Sequence, residues 1–440
     1  MLLRSVCLAL LLLSADAGYG EDLLYTYQLA VQNDPVLQQA DAQHKAQLES
    51  KPQSLAQLLP DFSISAHTTE NSQQFKYTNS RFFGSQPISI GYNSHGYSAT
   101  LTQPIYHQDY FVQYSQAGVK VRQADSSYLA AQQDLIVRVS QAYFNVLSAR
   151  ASLELAQAQK SSDEKQLEQT QQRFKVGLIA ITDVHQAQAA YDLTVAQEIQ
   201  ATNQVANARE ALRQITGRYL QHLADLGQNV PLAIPAPEDI DQWTQIALAK
   251  NPTLDASRNA SEVARQQVNI QRAGHYPTLD MVLNTSDAVS GGVFGSSDIH
   301  STSVSLQLNV PLFEGGMVAS RTRQAHDEFI QAQQALVQQR RATINQIRQA
   351  YLGVQSNISL VKAYKQAIVS NTSSLEATKA GLEVGTQTTL DVLQARSNLF
   401  SARLNYAQAR YNYIVTILQL KQSAGTLTEA DLVRINKWLQ

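Results

Sequence analysis

A single cysteine, Cys7, stands in the 440 residues, so no internal disulfide can form. Charge is sparse too: 16% of residues are charged and the formal net charge is −2, against a usual charged share of about a quarter. A nucleic-acid partner needs a basic footprint, which this balance excludes. No apolar run reaches the ~20 residues that a membrane-spanning helix requires. The chemistry of catalysis is missing as well. There is no nucleophile elbow, no phosphate loop and no paired-carboxylate signature. The 9 histidines show no metal spacing such as His-Glu-x-x-His. These absences predict a protein that is not an enzyme and holds no cofactor and no metal.

What is present is a repetition. Gln141-Ala142-Tyr143 returns as Gln349-Ala350-Tyr351, 208 residues on. Val176-Gly177 returns as Val384-Gly385, Asp183-Val184 as Asp391-Val392 and Gly217 as Gly425, all with the same offset. Upstream, Ala30 with Asp34-Pro35 returns as Ala247 with Asn251-Pro252, 217 residues on, and Pro104 returns as Pro311, 207 on. Locked spacing over such stretches means two copies of one unit with matched element lengths. The slack between Pro60 and Pro104 marks a longer loop in the first copy.

The N-terminus reads as a secretory signal, with Arg4 ahead of the short apolar run Val6–Leu13 and small residues after it. This divides the chain into a signal peptide (1–20), a first repeat (21–217), an equatorial linker (218–237), a second repeat (238–425) and a C-terminal equatorial segment (426–440). Cys7 falls inside the signal.

Each repeat carries two alternating segments. Val304, Leu306, Leu308 and Val310 share one face; Ser303, Ser305, Gln307 and Asn309 share the other. This is a strand with an apolar and a wet face. Leu279, Met281 and Leu283 alternate similarly, as do Phe62, Ile64 and Ala66, and Tyr97, Ala99 and Leu101. Between the first pair, about Asn71 to Ser94, a long polar loop is expected. Aromatics gather there: Phe75, Tyr77, Phe82, Phe83, Tyr92, Tyr106, Tyr110, Phe111 and Tyr114. They suit the rim of a membrane barrel, or simply loop packing.

Long helices follow each strand pair. No proline lies between Gly316 and Gly381. Ile347, Tyr351, Val354, Ile358, Val361 and Ile368 keep a 4-3 spacing, interrupted at Lys365, which is a coiled-coil seam. A second helix, about 108–176, matches it in the first copy. Shorter helices return after each Val-Gly turn, over about 183–216 and 391–424. Segments of about 35 residues, 22–58 and 238–276, precede the strands. Four strands are too few to close a barrel, which takes about eight or more, and lipid tolerates no open sheet edge. The strands must therefore be shared among copies.

Thr170 to Val184 (TQQRFKVGLIAITDV), Gln141 to Leu147 (QAYFNVL), Tyr276 to Asp280 (YPTLD) and Ala409 to Tyr413 (ARYNY) resemble the TolC family of outer-membrane efflux and type I secretion channels. The resemblance runs over nearly the whole chain after residue 20. It implies an α+β membrane protein: a homotrimer with a shared twelve-stranded barrel in outer-membrane lipid, four strands per chain, and a long periplasmic helical barrel. It implies a passive exit duct working with a periplasmic adaptor (membrane fusion) protein and an inner-membrane efflux pump or ABC exporter. The family's constriction is a double ring of aspartates; its positions here are Asp391 and Gln394. A gate-tethering tyrosine and arginine fall on Leu382 and Gln387, while their partners Thr182 and Asp183 are kept. The tips Val176-Gly177-Leu178 and Val384-Gly385-Thr386 would dock the adaptor.

Simpler readings stand beside these. Asp183 and Asp391 both open helices and suit an N-cap. Gly177 and Gly385 suit a turn with positive φ. The competing function is a periplasm-spanning coiled-coil adhesin or structural protein, which would not need strands with a wet face. A ring of three Asp391 carboxylates would repel itself and titrate above the ordinary carboxylate value.

Overall fold

The computed structural model describes residues 21–76, 87–228, 230–292 and 295–440. The signal segment 1–20 with Cys7, and the aromatics Tyr77, Phe82 and Phe83, lie outside them. The chain divides into two compact units. One is formed by residues 42–127 and 253–339, the other by the chain up to Asp41, 128–252 and 340–440.

The first unit holds one four-stranded sheet: β1 (Asp61–Phe75), β2 (Ile88–Tyr106), β3 (Thr278–Ser290) and β4 (Ser297–Asn309). The strands pair antiparallel in chain order, so β1 and β4 each keep one open edge. Register aligns like with like. Phe62, Leu101, Leu283 and Val304 lie opposite one another across all four strands, and Met281 faces Leu306. Ser65, Ser98, Ser286 and Ser301 align in the same way on the other face, with the Ser65 and Ser98 hydroxyls 2.9 Å apart. The apolar face is bare: Ile64, Val304, Leu306 and Leu308 are 69, 69, 70 and 66% exposed. Tyr106 and Tyr97 bracket this apolar band on β2. About nine residues at roughly 3.3 Å each separate them, a span of some 30 Å along the strand.

The polar loop expected over 71–94 is shorter than that. β1 runs on to Phe75 and β2 starts at Ile88, paired residue for residue. Beyond the apolar band residues 71–74 of β1 are polar on both faces, while Ile88, Ile90 and Tyr92 of β2 still alternate with Ser89, Gly91 and Asn93, and the backbone ladder continues.

Helices α1 (Leu23–Asn33), α2 (Pro35–Leu48) and α3 (Ser50–Ala56) precede β1, and α4 (Gln108–Lys175) and α5 (Ile181–Thr216) follow β2. The second copy repeats this with α6 (Ile240–Lys250), α7 (Pro252–Ala273), α8 (Met317–Glu383) and α9 (Thr389–Ser423). A final helix, α10 (Glu429–Asn436), closes the chain. The 35-residue segments are thus broken helices. Pro35 and Pro252 lack the N–H that would continue the preceding helix. Asp34 ends α1 and its Oδ2 accepts from the Leu37 N–H at 2.9 Å, capping α2.

The core of the second unit is the predicted seam. Ile347, Tyr351, Val354, Ile358 and Val361 are buried, as are Val139, Tyr143 and Val146 of α4, while Lys365 stays exposed. The segment after α5 and the C-terminal segment close over this core. Leu226 and Leu439 form a β-bridge, and the Tyr143 hydroxyl donates to the Ala224 carbonyl at 2.8 Å. Tyr413 does the same on α9: its hydroxyl accepts from the Ala233 N–H at 2.9 Å and donates to the Pro231 carbonyl at 3.0 Å. Two tyrosines from the core thereby pin an otherwise irregular backbone. Among the described residues no helix is long and apolar enough to cross a membrane.

Candidate functional site

Both helical hairpins of the second unit end in the same turn. Gly177 has φ 76° and Gly385 φ 78°. After α4 the Leu178 N–H donates to the Arg173 carbonyl at 3.0 Å and Gly177 to Phe174 at 2.8 Å. After α8 the Thr386 N–H donates to Gly381 at 2.8 Å and Gly385 to Leu382 at 3.4 Å. These are Schellman closures, which satisfy the last carbonyls of a helix and favour glycine at the left-handed position. Around each glycine space is open; a Cβ would meet nothing within 4 Å. Val176, Leu178 and Val384 are 70, 73 and 75% exposed. The tips are apolar knobs held by a rigid turn.

The helices that leave these turns start differently. The N-cap of α9 is Thr388, whose hydroxyl accepts from the Asp391 N–H at 3.2 Å. Asp391 Oδ2 in turn accepts from the Thr388 N–H at 2.8 Å and from its hydroxyl at 2.7 Å. This is a complete capping box. Asp391 is therefore the third residue of the helix rather than its N-cap. In α5 the N-cap is Ala180, which has no side chain to accept, and Asp183 again sits third. The expectation that each aspartate is itself the cap is corrected: the cap comes three residues earlier, where the backbone is still extended.

Within one chain the Asp391 carboxyl lies below its ordinary value. The hydrogen bond from the Thr388 hydroxyl is the main cause, and that from the Thr388 N–H adds to it. Repulsion in a ring would act against this pull.

Along α9 two stripes separate. Asp391, Gln394 and Asn398 are exposed, and the Gln394 amide donates to Asn398 Oδ1 at 3.0 Å. Val392, Ala395 and Leu399 are buried with Leu375 in a small tip core, against which Ile368 and Leu382 rest. Leu382, on the position of the family's tethering tyrosine, is thus committed to its own hairpin. Gln387 folds back over Gly381, where a Cβ would stand 2.6 Å from Gln387 Cγ. Thr182 is exposed and Asp183 half-exposed. Among the described residues no hydrogen bond or ion pair ties 176–183 to 382–394.

One contact near the tips had no signal in the sequence. Arg396 on α9 reaches Asp163 on α4, Nη1 to Oδ1 at 2.9 Å, and also donates to the Ser162 carbonyl at 3.0 Å. By contrast the Thr388 cap was legible, since Thr-x-x-Asp ahead of an apolar run is a capping-box pattern.

The comparisons fit this geometry. A family model described as "Outer membrane efflux protein" matches residues 26–218 and 243–426. The Outer membrane protein TolC of Vibrio cholerae is 38% identical over 431 residues, covering 97% of this chain and 95% of that protein. The Alkaline protease secretion protein AprF of Pseudomonas aeruginosa is 32% identical over 427 residues, covering 96% of this chain and 88% of its own length. Among solved structures, the CmeC outer membrane channel of Campylobacter jejuni is similar with a TM-score of 0.80 at 17% identity, over 95% of this chain and 90% of that one. That likeness concerns the fold: four strands per chain and a long helical part, as in TolC-like channels. The chain belongs to the outer membrane efflux protein family and is a non-enzymatic channel protein of the outer membrane with a periplasmic extension.

Proposed function

We propose that three copies of this chain close into one exit duct, which passes substrates of efflux pumps and type I secretion machines through the outer membrane. The observation that carries this is the sheet. Its apolar face is exposed, its other face is wet, and β1 and β4 each offer an unpaired edge. Lipid accepts such a sheet only when every edge is paired. Pairing β4 of one copy with β1 of the next removes all edges, and three copies give twelve strands. An adhesin stalk would have no use for a wet-faced, lipid-ready sheet.

In this duct the helical tips form the periplasmic entrance. Val176-Gly177-Leu178 and Val384-Gly385-Thr386 present six similar apolar knobs around a trimer, which suits a ring of adaptor subunits linking the duct to an inner-membrane pump or ABC exporter. The exposed stripe Asp391–Gln394 lines the constriction. Three Asp391 carboxylates there attract cations, and Gln394 narrows the passage without fixed charge.

Native mass measurement in detergent tests the assembly, and planar-bilayer conductance tests the duct. A trimer with cation-selective conductance is expected. A stable monomer with intact β signal, or a trimer that conducts nothing, refutes the reading.

A further inference from the structure

Arg396 sits on the buried face of α9, one residue from Ala395 and within a turn of Val392 and Leu399. Its side chain is 8% exposed and that of Asp163 is 4% exposed. Arg396 Nη2 also approaches Gln166 Oε1 at 3.4 Å, so the guanidinium meets three successive acceptors along one face of α4. Such a pair adds little to stability, because desolvation offsets most of the Coulomb gain. Burial indeed pushes the Asp163 carboxyl up, and the Arg396 hydrogen bond brings it only part of the way back. What a buried pair supplies is register: apolar seams slide and rotate, whereas a guanidinium fixed to a carboxylate and a backbone carbonyl does not.

The duplicated positions sharpen the point. Offsetting by 208 residues places Gln188 at Arg396 and Asn371 at Asp163. Gln188 donates to Asp192 Oδ1 at 2.9 Å and Asn371 to the Ala367 carbonyl at 2.8 Å, each within its own helix. α5 has a more exposed charged link of its own to α4, Glu198 to Lys160 at 2.8 Å, but the buried one belongs to α9, the helix that carries Asp391.

We propose that Arg396 and Asp163 form a positioning latch that fixes the rotation of α9 against α4 and thereby aims the Asp391–Gln394–Asn398 stripe. Arg396 lies five positions after Asp391, and the two stripes lie on different faces of one helix. Turning the buried stripe turns the exposed one. The consequence for conductance rests on the duct reading above; the consequence for helix position does not.

The test uses the full chain in detergent and in bilayers, with a spin label at Asn398→Cys and single-channel recording. Variants are Arg396→Met, the double Arg396→Met/Asp163→Leu and the exchanged pair Arg396→Asp/Asp163→Arg. The latch predicts greater label mobility and about a tenfold larger open population in Arg396→Met. The double apolar variant, which leaves no buried charge, should stay folded yet keep the label mobile. The exchanged pair should restore both readouts. If the double variant holds the label as still as wild type, apolar packing alone sets α9 and the latch is overturned. It is overturned equally if Arg396→Met folds and changes neither readout. A mobile label with unchanged conductance supports the latch and refutes the constriction assigned to the stripe.

Discussion

The two hairpin tips share a backbone and divide their chemistry. Each turn closes on a glycine, at φ 76° and 78°, with the same pair of backbone hydrogen bonds. Beyond the turn they part. α5 starts at Ala180 with no side-chain cap, whereas α9 starts at Thr388 with a complete capping box to Asp391. α9 is cross-linked to α4 through Arg396 and Asp163; the duplicated Gln188 and Asn371 bond locally. Duplication has kept what the turn geometry demands and let the polar groups drift. The second tip has a side-chain cap and a buried ion pair behind it, and the first has neither at the matching positions.

The largest effect should come from what the tips share. Gly177→Trp or Gly385→Trp places a bulky ring in open space at a left-handed position, with a strain of about 1–3 kcal/mol confined to an exposed turn. Folded trimers should persist in the membrane while efflux is abolished, read as loss of drug resistance in cells. Unchanged resistance in both variants would separate the tips from adaptor docking.

What differs between the tips gives the next effect. Asp391→Asn should remove most of the cation preference, measured as the reversal potential across a salt gradient, while Asp183→Asn should change it little. Gln394→Asp should add a second ring and tighten block by multivalent cations from the periplasmic side. Equal reversal potentials in wild type and Asp391→Asn would reduce Asp391 to a partner in the capping box.

This asymmetry was only half legible in the sequence. The seam Ile347–Val361 and the alternation of Val304–Leu308 are periodic signals of buried and half-buried faces, and both elements stand where that periodicity puts them. Strand length was legible only in part: Ile88, Ile90 and Tyr92 alternate with Ser89, Gly91 and Asn93, whereas their partners, residues 71–74, are polar throughout and carry no such signal. Nor was the Arg396 contact. An arginine at a seam position reads as an interruption until its partner, 233 residues away, is seen beside it. Asp391 and Asp183 look equivalent by spacing; only the residue three positions earlier tells them apart.

Titration offers a smaller, sharper comparison. Thr388 holds the Asp391 carboxyl below its ordinary value, while repulsion in a ring raises it. If the cap dominates, cation preference survives acidification to below the ordinary carboxylate range. Thr388→Ala should then shift the midpoint of that loss to higher pH, because the hydrogen bonds favouring the charged form weaken. A midpoint already above the ordinary value in wild type would mean that ring repulsion wins, as the sequence led us to expect.

The smallest effect separates the copies far from the tips. Asp34, 2% exposed, pairs with Arg138 at 2.8 Å, whereas the duplicated positions hold Asn251 and Gln346. Burial works against the Asp34 carboxylate. The Arg138 and Leu37 hydrogen bonds outweigh it, leaving the carboxyl below its ordinary value. A depressed folded value means the stabilisation is complete above the unfolded value of about 3.9 and is lost as pH falls through the folded one. Asp34→Asn should therefore lower stability at neutral pH by about 1–3 kcal/mol, and flatten the acid limb of a denaturation series. Asn251→Asp should also lower stability at neutral pH, for the opposite reason. Its carboxylate would lose the 2.9 Å amide bond to the Ser423 carbonyl and would set a negative charge beside that carbonyl oxygen. Such a buried acid is raised, so this variant should be destabilised at neutral pH and recover as the acid protonates. An Asp34→Asn acid limb parallel to that of wild type would show that the Asp34–Arg138 pair is a difference without energetic consequence.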